Sequence, residues 1–88
     1  MILKFAVNGA ECTVHAHPDD RLGQCVDIAF TCTRYTRNYG YHSAHDGEPM
    51  GWEVRNAGGV LLDESTRVGD VPRVNEIIYV NLPAGSGA

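Results

Sequence analysis

The sequence predicts an α+β fold in which one helix packs against a four-to-five-stranded mixed sheet. Three observations predict it. Apolar residues alternate at the start of the chain, in Leu3, Phe5 and Val7, and again near its end, in Ile78, Val80 and Leu82. An Asn8-Gly9 pair divides the first alternating run from a second one. A single amphipathic stretch follows, with Leu22, Cys25, Val26, Ala29 and Phe30 at helical spacing.

Met1 to Val7 reads as a strand with Leu3, Phe5 and Val7 on one face and Ile2, Lys4 and Ala6 on the other. Asn8-Gly9 is a strong hairpin signal, because both residues tolerate the positive φ that a tight two-residue turn requires. The second strand runs from about Glu11 to His17. It turns Cys12, Val14 and Ala16 inward and Thr13, His15 and His17 outward.

Pro18-Asp19-Asp20 reads as a helix start. An aspartate can accept from the free amides of the first turn, and its charge suits that end of a helix. The apolar stripe from Leu22 to Phe30 then marks one buried helical face, and the helix is expected to end near Tyr35. Gly23 costs the helix up to ~1 kcal/mol relative to alanine, which suggests a close approach there. Residues 36–51 are polar, contain glycine and show no periodicity, so they read as a long loop.

Trp52 to Asn56 reads as a third strand, with Trp52 and Val54 inward and Glu53 and Arg55 outward. Gly58-Gly59 turns the chain into a very short strand, Val60-Leu61-Leu62. Asp63 to Pro72 is a turn-rich crossing segment with room for one 3₁₀ turn. The last strand spans about Glu76 to Leu82. Its apolar face and that of the first strand place the two side by side in the centre of the sheet. Residues 1–82 thus form one domain, and 83–88 form a tail of small residues.

Composition narrows the function classes. Eighty-eight residues make one domain with little room for a deep cleft. A net charge of −4, with seven scattered basic residues, argues against nucleic-acid binding. No stretch reaches the ~20 apolar residues of a membrane span, and Met1 to Phe5 lacks the layout of a signal peptide, so a cytoplasmic protein is expected. Cys12, Cys25 and Cys32 are odd in number and form no CxxC pair, which fits reduced packing residues.

Hairpin, helix and three further strands make the β-grasp arrangement, and here the chain resembles ubiquitin. The resemblance is carried by the glycine hairpin, the helix opened by Pro18-Asp19-Asp20, and Ala57-Gly58 after the third strand. Leu61-Leu62-Asp63-Glu64, Thr66 and the small-residue tail complete it. It covers most of the chain except the longer 36–51 loop. It implies a ubiquitin-like modifier, and two departures, polar outward positions at Lys4, Glu53 and Arg55 and a single lysine, suit a bacterial one, of the sort found beside adenylating and conjugating enzymes in antiviral defence operons.

In that family a partner enzyme adenylates a terminal glycine carboxylate and passes it to a cysteine. Glycine suits a narrow channel because it lacks Cβ and has free φ and ψ. The tail here is Pro83, Ala84, Gly85, Ser86, Gly87 and Ala88, which departs from the family's Gly-Gly end. If the last strand keeps the family register, Gly87 matches the terminal glycine and a processing peptidase would remove Ala88. A shifted register makes Gly85 the acyl residue instead.

The family's apolar partner-binding patch corresponds here to Lys4, Glu53 and Arg55, where Lys4 and Arg55 are expected to pair with Glu53. Lys4 is the only lysine, so long lysine-linked chains are not expected. Tyr39 and Tyr41 lie in an arginine- and tyrosine-containing loop that suits protein contact, since both residue types favour interface centres.

Other constellations are weaker. His15 and His17, with His42, His45 and Asp46, would need to converge from strand and loop to bind zinc, and no spacing guarantees that. Neither Asp19-Asp20 nor Asp63-Glu64 has a partnered nucleophile, so no enzymatic role, metal or cofactor is expected. Two rivals to the modifier remain open: a sulfur carrier of the thiamine or molybdopterin type, and a non-conjugated β-grasp interaction module.

Overall fold

The computed structural model describes residues 1–35 and 51–82. Strand β1 is Ile2–Val7, β2 is Ala10–His15, α1 is Leu22–Thr33, β3 is Glu53–Arg55 and β4 is Ile78–Asn81. A 3₁₀ turn at Val68–Asp70 lies in the crossing segment. The sheet order is β2-β1-β4-β3, with β1 antiparallel to β2, parallel to β4, and β4 antiparallel to β3. The first and last of these strands therefore hold the centre, and α1 covers one face: a β-grasp arrangement.

The hairpin forms as its turn residues dictate. Asn8 has φ 48° and Gly9 φ 87°, and Val7 pairs with Ala10 across a two-residue loop. Asn8 N also donates to Val80 O at 2.8 Å, which ties the turn to β4.

Register aligns the inward side chains. Cys12, Phe5 and Ile78 form one row across three strands, and Ala10, Val7, Val80 and Val54 form another across four. Leu3, Phe5, Val7, Ile78 and Val80 are fully buried beneath Leu22, Cys25, Val26, Ala29 and Phe30 of α1. Burying one such aliphatic or aromatic side chain contributes about 1.5–3 kcal/mol. The rings of Phe30 and Trp52 close the β3 side of the core, edge to face, with centroids 4.9 Å apart.

The start of α1 differs from the sequence reading. Neither Asp19 nor Asp20 caps the helix; its N-cap is Arg21, in an extended conformation. Asp20 Oδ2 instead accepts from His17 N at 2.9 Å and closes the preceding turn. The free amides of the first turn find backbone partners in the crossing segment. Leu22 N donates to Thr66 O and Gly23 N to Glu64 O, both at 2.9 Å. Gln24 Oε1 accepts from Arg21 N at 3.0 Å, the side-chain half of a capping box.

This docking explains Gly23. A Cβ there would lie 3.3 Å from the Cβ and carbonyl oxygen of Glu64. The helix ends at Arg34, which adopts the left-handed conformation with φ 66°.

The short strand expected at Val60 to Leu62 is a single bridge, Leu61 opposite Arg55. The chain turns away at once because Asp63 Oδ1 accepts from both the amide and the hydroxyl of Ser65, at 2.9 and 2.7 Å. The sheet thus has four strands among the described residues. Among the described residues no helix is long and apolar enough to cross a membrane.

Candidate functional site

The face of the sheet turned away from α1 is the surface on which the sequence placed partner contacts. One row of register partners crosses it: Glu11, Ala6, Tyr79, Arg55 and Leu61. Ala6 lies between taller neighbours and is buried, whereas Tyr79 is 41% exposed and Leu61 56%. Ile2, on the same face of β1, is also exposed.

Arg55 is committed on both sides. Its Nη1 donates to Gly59 O at 2.8 Å, and its Nη2 lies 3.4 Å from Glu53 Oε1. An ion pair this exposed adds at most about 1 kcal/mol, so it orients the guanidinium more than it stabilises the fold.

Lys4 does not join that pair. It lies opposite Thr13, and β4 separates its strand from β3. Glu53 pairs with Asn81, whereas β1 meets β4 first at Phe5 and Ile78. Lys4 and Glu53 are therefore four residue levels apart, about 13 Å along the strands, and two strand spacings apart across the sheet. The expected Lys4–Glu53 pairing does not form: Glu53 pairs with Arg55, and Lys4 is an exposed cation at the other end of the face.

The face is not wholly polar. Tyr79, Leu61 and Ile2 give it apolar area that the outward positions Lys4, Glu53 and Arg55 did not reveal. The signal for Tyr79 was in the sequence: it sits between the inward Ile78 and Val80, so period-two alternation turns it outward. Leu61 could be found only through its bridge to Arg55.

Behind this face, Asn56 organises the turn that carries Leu61. It is 2% exposed, the one polar residue buried among the described residues. Its Oδ1 accepts from Gly58 N at 2.9 Å and Val60 N at 3.1 Å, and its Nδ2 donates to Pro72 O at 3.3 Å. The side chain thus holds the β3 turn and fastens it to the segment leading into β4.

Of the other sequence candidates, His15 and His17 are exposed, and no group of three or more His, Cys, Asp or Glu side chains fit to hold a metal occurs among the described residues. Burial pushes the Cys25 thiol up, and burial together with the nearby Cys32 does the same to Cys12. Asp63 is held below the usual carboxylate range by the amide and hydroxyl of Ser65. Tyr39, Tyr41, His42, His45 and Asp46, and the tail residues Pro83, Ala84, Gly85, Ser86, Gly87 and Ala88, lie outside the described residues.

No family model matches this chain, and no curated protein matches it.

Proposed function

We propose that this β-grasp domain is a ubiquitin-like protein modifier. A partner adenylating enzyme would activate a tail glycine, a conjugating enzyme would receive it, and a target protein would accept it. The observation that carries the reading is the position of β4. The strand lies in the centre of the sheet, bonded to β1 and β3, and Leu82 just beyond it packs against the core. The next six residues are Pro-Ala-Gly-Ser-Gly-Ala. A segment with glycines and no bulky side chain, following a strand held in the centre of the sheet, is what an adenylating active site can accept.

Gly87 is the proposed acyl residue and Gly85 its alternative. A peptidase would expose either by cutting the bond that follows it. The carboxylate then attacks the α-phosphorus of ATP, pyrophosphate leaves, and the acyl adenylate forms. A cysteine thiolate of the partner displaces AMP to give a thioester, and a nucleophile on the target displaces that thiolate. The domain supplies the carboxylate and a docking face, and no catalytic group. Tyr79 and Leu61, with the oriented Arg55, are the proposed anchors on that face, because exposed aromatic and arginine side chains dominate interface energetics.

The same exposed face favours a second reading, an interaction module that is never conjugated. One experiment separates the readings: intact-mass analysis of the protein from its native cell with neighbouring genes expressed. Loss of Ala88, or of Ser86 to Ala88, with heavier species linked through Gly87 or Gly85, is the expected result. A terminal thiocarboxylate would reassign the protein to sulfur carriage. A single unprocessed mass would refute conjugation and leave the interaction module.

A further inference from the structure

The fold brings two thiols, Cys12 and Cys32, to the same seam between sheet and helix. Cys12 is on the inner side of β2, an edge strand of the sheet, and is only half-buried. Its Sγ lies 3.9 Å from the carbonyl oxygen of Ala29 on α1. Cys32 is three residues beyond Ala29, and side chains three apart are neighbours on a helix surface.

The rotation of the helix supports the same placement. Phe30 meets Trp52, at the start of β3, so its flank of α1 faces the β3 edge. At about 100° per residue, Cys32 is about 200° further round and faces the opposite edge, where β2 runs. Cys32 is exposed, whereas Cys25, on the same flank, is buried. Electrostatics agree: the Cys12 thiol is raised first by burial and then by the charge of Cys32.

We propose that Cys12 and Cys32 are a redox pair that a hydroperoxide closes into an intramolecular disulfide, stapling β2 to α1. Cys32, the accessible member, reacts first. Its thiolate attacks one peroxide oxygen, an S–O bond forms, the O–O bond breaks and hydroxide leaves, giving a sulfenic acid. The Cys12 sulfur then attacks the Cys32 sulfur, the S–S bond forms, the S–O bond breaks, and water leaves with the Cys12 proton. With hydrogen peroxide the balance is two thiols and one peroxide to one disulfide and two waters. The staple is independent of the tail chemistry.

The test treats the full chain with stoichiometric hydrogen peroxide, followed by peptide mapping without reduction. Trypsin leaves Cys25 and Cys32 on one peptide, so chymotrypsin is added to cut after Phe30 and separate them. The expected product is a monomer lacking two hydrogens, with the Cys12 peptide joined to the Cys32 peptide. A disulfide forms only where the two Cα atoms come within about 7 Å, so the map also reads whether the last turn of α1 reaches β2.

Closing a loop of roughly 20 residues is expected to raise the melting midpoint by about 12–24 °C. The Cys32→Ser protein, altered at an exposed site, should show neither the bond nor the rise. A Cys32 sulfinate with Cys12 still reduced, a Cys32-linked dimer, or a bond that leaves the melting midpoint unchanged would overturn the proposal.

Discussion

Asn56→Ala tests whether a single buried amide holds the outer edge of the sheet. The side chain makes three hydrogen bonds, two accepted from Gly58 N and Val60 N and one donated to Pro72 O at 3.3 Å. A neutral hydrogen bond contributes about 1 kcal/mol net, and the longer one to Pro72 belongs near the lower end, about 0.5 kcal/mol. Gly58 and Val60 are exposed residues, so water can reach their amides once the amide oxygen is gone. The full penalty of a buried unsatisfied donor therefore does not apply. The sum is a loss of about 2–3 kcal/mol, or about 8–24 °C in melting midpoint for a domain of this size.

Urea denaturation followed by tryptophan fluorescence measures it, since Trp52 is the chain's only tryptophan and lies in the core cluster. Asn75→Ala, at an exposed position, is the control and should stay within about 0.5 kcal/mol of the parent. Amide exchange at Gly58 and Val60 should quicken in Asn56→Ala before global unfolding. A loss no larger than the control's, or unchanged exchange at those two amides, would refute the assignment of the turn to Asn56.

Gly23→Ala should fail to give the ~1 kcal/mol that alanine normally adds to a helix interior, and should lower the melting midpoint instead, because the new Cβ meets Glu64 at 3.3 Å. Arg34→Gly should stabilise by about 1 kcal/mol in the same denaturation assay, since glycine takes the left-handed helix terminus without the cost that a Cβ imposes. Asp63 has a folded pKa below its unfolded one, so its contribution is present above the unfolded value and is lost as pH falls through the folded value. Stability measured across that acidic range should fall less steeply with acid in Asp63→Asn than in the parent.

Much of the fold was legible because local pattern and burial agree. Leu3, Phe5 and Val7 alternate, and all three are fully buried; the stripe from Leu22 to Phe30 is the face that α1 buries. The helix start was misread because its decisive partners are distant. Thr66 O and Glu64 O accept from the first-turn amides, which left Asp20 for a local turn. A capping rule sees only neighbours in sequence, so it assigned to a carboxylate what the crossing segment supplies. The missing fifth strand has a similar origin. Val60, Leu61 and Leu62 have strand character, but Asp63 binds Ser65 and bends the chain before a ladder can form.

The candidate face was less legible for a different reason. Which side chain points outward follows from period two within each strand, and Lys4, Glu53 and Arg55 were placed correctly by it. Which outward side chains are neighbours depends on register between strands, and in a parallel pair no turn fixes that register. Pairing Phe5 with Ile78 sets Ala6 beside Tyr79, and pairing Arg55 with Tyr79 completes the row. That offset removes Lys4 from Glu53 and puts a tyrosine in the middle of the sheet. The consequence for the proposed function is specific. A receptor using this face would meet an aromatic residue beside a small alanine, flanked by an arginine already held by Glu53 and Gly59 O. Orientation of that guanidinium before binding reduces the side-chain entropy lost on contact. A partner offering an apolar cleft with an acidic rim would complement the row better than one offering a purely charged surface.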